Sequence, residues 1–350
     1  MPDRRSVSHL TRRHLLAQFS ALGAGTLLAA CGREGGDPAY THVTTPTAAA
    51  TRVVPVSTPP PTVITSRNRV EFLLKIDHGL RYPTALATDP SGNVYVIDAD
   101  HHRIQKFDGC GQFLMSWGSI GDGEGQFVFR ISGPIPGGIA VDTRGTVFVS
   151  DYYDRIQAFD SNGQFLFQWG DHGSGDGQFN FPTGMAVDKQ GTIYVGDAEN
   201  HRIQAFTRSG SFLMKWGYQG SGGGEFLSPS GIAINGHDEI IAGDADNGRI
   251  QVFDRSGCLL RSWGSPGTTA IQPEGPPGLA VDASGNVYVA RNNGDRIEKF
   301  DPNGQLLAAW GSTGTGDGQF IYPTGVAVDR NGEIYVVDVI GGHIQKFRAR

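Results

Sequence analysis

Pro182-Thr-Gly-Met-Ala-Val-Asp188, Gly191-Thr-Ile-Tyr-Val-Gly-Asp197, Arg202-Ile-Gln-Ala-Phe206 and Phe212-Leu-Met-Lys-Trp-Gly217 follow one another almost without interruption. Each run is short, rich in Val, Ile, Tyr and Phe, and bounded by Asp, Gly or Pro, which marks strands rather than helices. The series recurs along the chain, with its first Asp-equivalent at Asp89, Asp142, Asp188, Asn235, Asp282 and Asp329. Successive spacings are 53, 46, 47, 47 and 47 residues. Four strands in a period of that length are the signature of a propeller blade.

The connections carry their own chemistry. Asp89-Pro-Ser-Gly-Asn93 and Asp160-Ser-Asn-Gly-Gln164 place Gly where a short hairpin needs positive φ, so strands a–b and c–d pair as hairpins. The sixth copy supplies strands a, b and c and ends at Phe347. Glu71-Phe-Leu-Leu-Lys-Ile-Asp77 matches the outer strand Gln112-Phe-Leu-Met-Ser-Trp-Gly118 in register. The expected fold is therefore all-β: a six-bladed β-propeller over residues 70–350, its sixth blade closed by the N-terminal strand. Closure removes an edge that an open array would expose. The 51 glycines of the 350 residues fit so many tight turns.

Residues 1–30 read as an export address. Arg4, Arg5, Arg12 and Arg13 precede an apolar, small-residue stretch from Leu15 to Ala30, shorter and richer in Ala and Gly than a membrane span. Thr11-Arg12-Arg13-His14-Leu15-Leu16 resembles a twin-arginine signal, with Sec export as the alternative. Leu28-Ala29-Ala30-Cys31 resembles a bacterial lipobox. That resemblance implies a lipoprotein signal peptide, a diacylglycerol (palmitate among its acyl chains) on Cys31, and a lipid anchor on the outer side of the bacterial cytoplasmic membrane or cell envelope. Residues 31–69, rich in Thr, Pro and Ala, read as a tether spanning about 35 Å r.m.s. as a flexible coil. The net charge is −6, and it becomes −9 without the first 30 residues. A nucleic-acid partner would prefer the opposite sign.

Arg-Ile-Gln-x-Phe after a polar loop such as Ala198-Glu-Asn-His201 resembles the NHL-repeat family. The family's Asn-His pair stands at Asn200-His201, with His101-His102 and Asn247-Gly248 as variants. The resemblance implies the propeller but leaves function open, because NHL-like propellers include RNA- and protein-binding modules, sensor domains and a zinc-dependent lyase domain.

Repetition removes most tempting sites. Trp117, Trp169, Trp216, Trp263 and Trp310 share one position of strand d and are expected to pack between blades. Asp98, Asp151, Asp197, Asp244 and Asp338 end strand b, while Arg103, Arg155, Arg202, Arg249 and Arg296 open strand c across a short loop, so Asp–Arg pairing is expected. His102 and His201 lie two blades apart, which does not converge on a zinc site. The position after the inner-strand proline is Thr84, Gly137, Thr183, Ser230, Pro277 and Thr324, with no acid–base pair and no metal ligand. No cofactor, metal or catalytic residue is expected.

The irregular positions point instead to a binding surface on the face shared by loops d–a and b–c. Candidates are Tyr82, Phe181 and Tyr322 before the inner-strand proline, Tyr152 and Tyr153 in the second b–c loop, and Phe129 and Arg130 in the longer 119–135 loop. Phe127, Phe179, Phe226 and Phe320, in a recurring Gly-Gln/Glu-Phe pattern, are expected to anchor their loops. Arg291 replaces the Asp of the fifth blade and His343 the Arg of the sixth. Arg291 and Arg296 would repel, so Asp295 or an anionic or polar ligand is expected near blades five and six. The resulting expectation is a monomeric, lipid-anchored module that binds a protein, peptide or glycan. A metal-dependent lyase or lactonase-like hydrolase using the channel is the alternative.

Overall fold

The computed structural model describes residues 70–129, 137–264, 278–292 and 294–349. The expected signal peptide and tether, Cys31 and Arg130 lie outside them. The strands begin with β1 (Val70–Ile76) and continue into blade one: β2 (Pro83–Thr88), β3 (Val94–Asp98), β4 (Arg103–Phe107) and β5 (Phe113–Trp117). Blade two comprises β6 (Ile139–Val141), β7 (Val147–Ser150), β8 (Ile156–Phe159) and β9 (Phe165–Trp169). Blade three comprises β10 (Pro182–Val187), β11 (Ile193–Asp197), β12 (Arg202–Phe206) and β13 (Phe212–Trp216). Blade four holds β14 (Pro229–Ile234), β15 (Ile240–Asp244), β16 (Arg249–Phe253) and β17 (Leu259–Gly264). Blade five holds β18 (Leu279–Val281), β19 (Val287–Arg291), β20 (Arg296–Phe300) and β21 (Leu306–Trp310). Blade six adds β22 (Pro323–Val328), β23 (Glu333–Asp338) and β24 (His343–Ala349) to β1.

All six sheets are four-stranded and antiparallel, and the sixth has the order β1-β24-β23-β22. Its closing pair runs from Val70 opposite Ala349 to Ile76 opposite Ile344. The expected propeller and its closure by the N-terminal strand are thus present. Antiparallel pairing puts all a–b and c–d hairpins on one face of the ring and all b–c and d–a loops on the other. Val70 lies at the hairpin face.

The hairpins are fixed by one repeated turn. Asp89 Oδ1 accepts from the backbone N–H of Ser91 and Asn93 at 2.8 and 2.9 Å, and Gly92 takes φ of 85°. Asp108, Asp142, Asp160, Asp188, Asp254, Asp282, Asp301 and Asp329 accept in the same way. Blade-to-blade packing supplies the core. Tyr95 and Ile97 of blade one cluster with Val147, Val149 and Phe159 of blade two, and Trp117 packs at their edge. Trp117, Trp169 and Trp216 each lie within 6 Å, ring centre to ring centre, of the next blade's Phe159, Phe206 or Phe253. The tryptophans therefore work as inter-blade wedges. Phe127, Phe179, Phe226 and Phe320 are fully buried, holding their loops down as expected.

Candidate functional site

The loop face is organised by the Asp–Arg pairs. Asp197 Oδ1 accepts the backbone N–H of Asn180 at 2.8 Å, and its Oδ2 accepts Nε of Arg202 at 2.7 Å and Nε2 of Gln204 at 3.1 Å. The Arg202 guanidinium then donates to the carbonyls of Ser174, Gly175 and Gln178 at 2.7 to 2.9 Å. Blade four repeats this set, with Arg249 joining Asp244 to the carbonyls of Ser221, Gly222 and Glu225. In blade two Arg155 joins Asp151 to the carbonyls of Asp122 and Gln126. Each guanidinium fills a socket between its blade and the incoming d–a loop, where its planar fork matches the several acceptors. Burial pushes the Asp151 and Asp197 carboxyls up from their ordinary value, against the opposing pull of the arginines. This ring is a structural tie.

Blades five and six break the pattern in different ways. Arg291 is buried, and a carboxylate of its own blade lies between it and Arg296. Glu298, which stands where the other blades have Gln, lies 3.2 Å from Nη1 of Arg291 and accepts Nε of Arg296 at 2.9 Å. Glu298 thus places a negative charge between the two arginines. His343 is also buried, with Nε2 3.5 Å from Asp338 Oδ2 and Nδ1 2.8 Å from the Gly341 carbonyl. Both side chains are buried beneath the loop face.

The aromatic candidates divide too. Phe129 is 2% exposed and stacks on Phe127 and His102, so it belongs to the inter-blade core. It precedes the extra loop residues and takes the place that Phe181 has after Phe179. Tyr82 and Tyr153 are exposed, at 37% and 44%, while Tyr152, Phe181 and Tyr322 are half-buried. Tyr152 and Tyr153 stand together with ring centres 6.5 Å apart, and the Arg155 guanidinium lies 5.5 Å from the Tyr153 ring centre. Tyr322 packs on the cluster that joins blades six and one.

Sequence reasoning missed the backbone of these residues. Tyr82, Phe181 and Tyr322 have φ of 48°, 68° and 67°, a left-handed conformation rare for side-chain-bearing residues. The N–H groups of Phe181 and Tyr322 donate to Asp154 and Asp295 of the preceding blades at 2.7 and 2.8 Å. Asp154 and Asp295, themselves left-handed just before strand c, thus latch one blade to the next.

The channel is chemically plain. A cavity of about 60 Å³ on the axis is lined by Thr84, Ala85, Thr183, Thr324 and glycines from five blades. The inner strands meet so closely that a Cβ on Gly184 would lie 2.5 Å from the Ser230 carbonyl, and one on Gly278 2.3 Å from the Thr324 carbonyl. Among the described residues no three His, Cys, Asp or Glu side chains gather as a metal-ligand set. Hydroxyl, methyl and glycine walls do not fit a catalytic metal, which needs three or more donor side chains.

Residues 80–107, 179–206, 226–253 and 320–347 match the family model of the NHL repeat. The chain carries NHL repeats. The matched stretches lie in blades one, three, four and six. The unmatched NHL-like blades are two, with its altered loops, and five, with Arg291. Rat peptidylglycine alpha-amidating monooxygenase is 36% identical over 126 residues, covering 33% of this chain and 12% of that protein, and the mouse protein is 35% identical over a similar stretch. The match thus spans only about an eighth of these relatives' length. Among solved structures, a gluconolactonase from Xanthomonas campestris superposes with a TM-score of 0.59 at 16% identity, covering 81% of this chain and 90% of that one. A streptogramin B lyase superposes with a TM-score of 0.57 at 13% identity, covering 83% and 100%. At such identities the likeness establishes the fold.

Proposed function

We propose that this NHL propeller is a non-enzymatic binding module whose loop face takes a protein or peptide segment of basic character. The supporting observation is a division of chemistry within the ring. The channel wall carries hydroxyls and glycine, whereas the side chains that vary between blades stand on the loop face. Exposed acids there include Asp122, Glu124, Asp171, Asp176, Glu199 and Asp246, beside the exposed Tyr82 and Tyr153. Arg81, an exposed cation on this face, is paired with Asp100 at 3.1 Å. Tyrosines supply rigid contact area at low entropic cost, and the acidic field favours cationic partners.

The anchor belongs to the same proposal. Export and lipidation at Cys31 would hold the ring to the outer side of a bacterial membrane through residues 31–69. The lactonase and lyase likenesses favour an enzyme by fold analogy alone, and the described residues of the channel offer that reading no acid–base pair.

Selection from a displayed-peptide library tests the module. Wild-type protein is expected to enrich Lys- and Arg-bearing peptides and the Tyr82→Ala/Tyr153→Ala variant to lose them at unchanged Tm. Equal capture by the two, or a stoichiometric zinc or calcium whose removal abolishes a catalytic turnover, would overturn the reading. Cys31→Ser is expected to move the protein from the membrane to the soluble fraction.

A further inference from the structure

The sixth blade contains the frame of a guanidinium socket without the guanidinium. In blades three and four the socket has three parts. These are the Oδ2 of the strand-b Asp, the carbonyls of two consecutive loop residues, and the carbonyl of the Gln or Glu before the anchoring Phe. The corresponding atoms in blade six are Asp338 Oδ2 and the carbonyls of Thr315, Gly316 and Gln319. The arginine's place there is taken by His343, whose Nδ1 lies 2.8 Å from the Gly341 carbonyl and whose Nε2 lies 3.5 Å from Asp338 Oδ2. An imidazole is too short and has too few donors to reproduce a three-carbonyl fork. A second donor is also gone. Asn200 and Asn247 donate to the Gly173 and Gly220 carbonyls in blades three and four, and Gly341 holds that position in blade six.

Two further observations point to a ligand. Asp338 is fully buried, its Oδ1 accepts the N–H groups of Ile321 and Gly341, and its Oδ2 has no hydrogen-bond partner among the described residues. Leaving a buried carboxylate oxygen unsatisfied is costly, and a third of the carbonyl set draws a cation already: Lys75 Nζ from β1 donates to the Thr315 carbonyl at 3.0 Å. The socket thus lies at the seam closed by β1.

We propose that blade six accepts an arginine side chain from a partner, its guanidinium joining Asp338 Oδ2 to the Thr315, Gly316 and Gln319 carbonyls as Arg202 and Arg249 do within their own blades. Entry displaces His343 from Asp338. The inference deepens the binding-module reading by naming the partner's residue, and it rests on that reading only for the partner being external.

The test uses the full-length protein and two small probes, acetyl-Gly-Arg-Gly-amide and its citrulline counterpart, which keeps the shape and loses the charge. The arginine peptide is expected to shift the His343 ring resonances saturably, with the citrulline peptide at least about tenfold weaker. His343→Arg, which fills the socket from within, is expected to raise Tm and abolish binding; His343→Gln leaves it open and retains binding. Equal binding of the two peptides, no saturable shift, or undiminished binding by a folded His343→Arg variant would overturn the proposal. The wild-type comparison of the two peptides decides it even where a variant fails to fold. Failure here, with library capture still dependent on Tyr82 and Tyr153, would leave the binding-module reading standing.

Discussion

Arg291 Nη1 lies 3.2 Å from Oε2 of Glu298, and both side chains are almost entirely buried. The pair inverts the arrangement of the other blades, where the acid ends strand b and a neutral Gln stands on strand c. Two departures from the repeat therefore compensate each other, and neither is intelligible alone.

Removing one partner of a buried pair costs far more than exchanging both. Glu298→Gln is expected to destabilise the ring by about 3 kcal/mol in chemical denaturation, since it leaves Arg291 and Arg296 without their shared carboxylate. The double variant Arg291→Asp/Glu298→Gln, which restores the pattern of the other blades, should recover most of that loss. A double variant no better than the single one would refute the compensation.

Closure of the ring predicts a sharp truncation boundary. A chain beginning at residue 70 should melt like the full protein, whereas one beginning at residue 78 loses β1 and bares the edge of β24. Scanning calorimetry should then show a Tm lower by on the order of 10 °C, or aggregation through the bare edge.

The close approach of the inner strands predicts that one methyl group is too much. Gly184→Ala would place Cβ 2.5 Å from a backbone carbonyl and 2.6 Å from the Cα of Gly231, with no flexible side chain to yield. A loss of about 2 kcal/mol is expected from this overpacking. Gly236→Ala, which meets nothing within 4 Å, should be near neutral in the same measurement.

Arg261 grips Glu239 with both terminal nitrogens, at 2.8 and 2.7 Å, and holds its carboxyl below the usual range. A carboxyl depressed in the folded state contributes stability above its unfolded pKa, and that contribution vanishes as pH falls through the folded pKa. Glu239→Gln should therefore cost about 1 kcal/mol at neutral pH. The two proteins should converge in stability at pH values below the ordinary Glu range.

The repeat made most of the fold legible before any coordinates. Strand number, hairpin turns, closure and the Asp–Arg ties all follow from residues that recur at one position. The site was less legible because its chemistry depends on relationships across strands and blades. Glu298 reads as a small change from Gln until the register sets it between two arginines. Tyr-Pro and Phe-Pro suggest extended backbone, yet the latches from Asp154 and Asp295 pull Phe181 and Tyr322 into positive φ. Phe129 reads as part of a long surface loop, although the extra residues follow it, leaving its ring on Phe127.

The pairing of Val70 with Ala349 has a temporal consequence. A polypeptide threads out of its ribosome, or through a translocation pore, from the N-terminal end. The strand that locks this ring is therefore delivered first and must idle until nearly every other strand has arrived. During that interval Val70–Ile76 is an apolar segment in search of an edge, available to chaperones and to neighbouring copies. The same adjacency offers a way around the wait. A circular permutant that joins residue 349 to residue 70 by a short linker, with new ends between blades, would make β24 and β1 a local hairpin. Such a chain should refold faster than the natural order, because its slowest loop to close has been replaced by a turn.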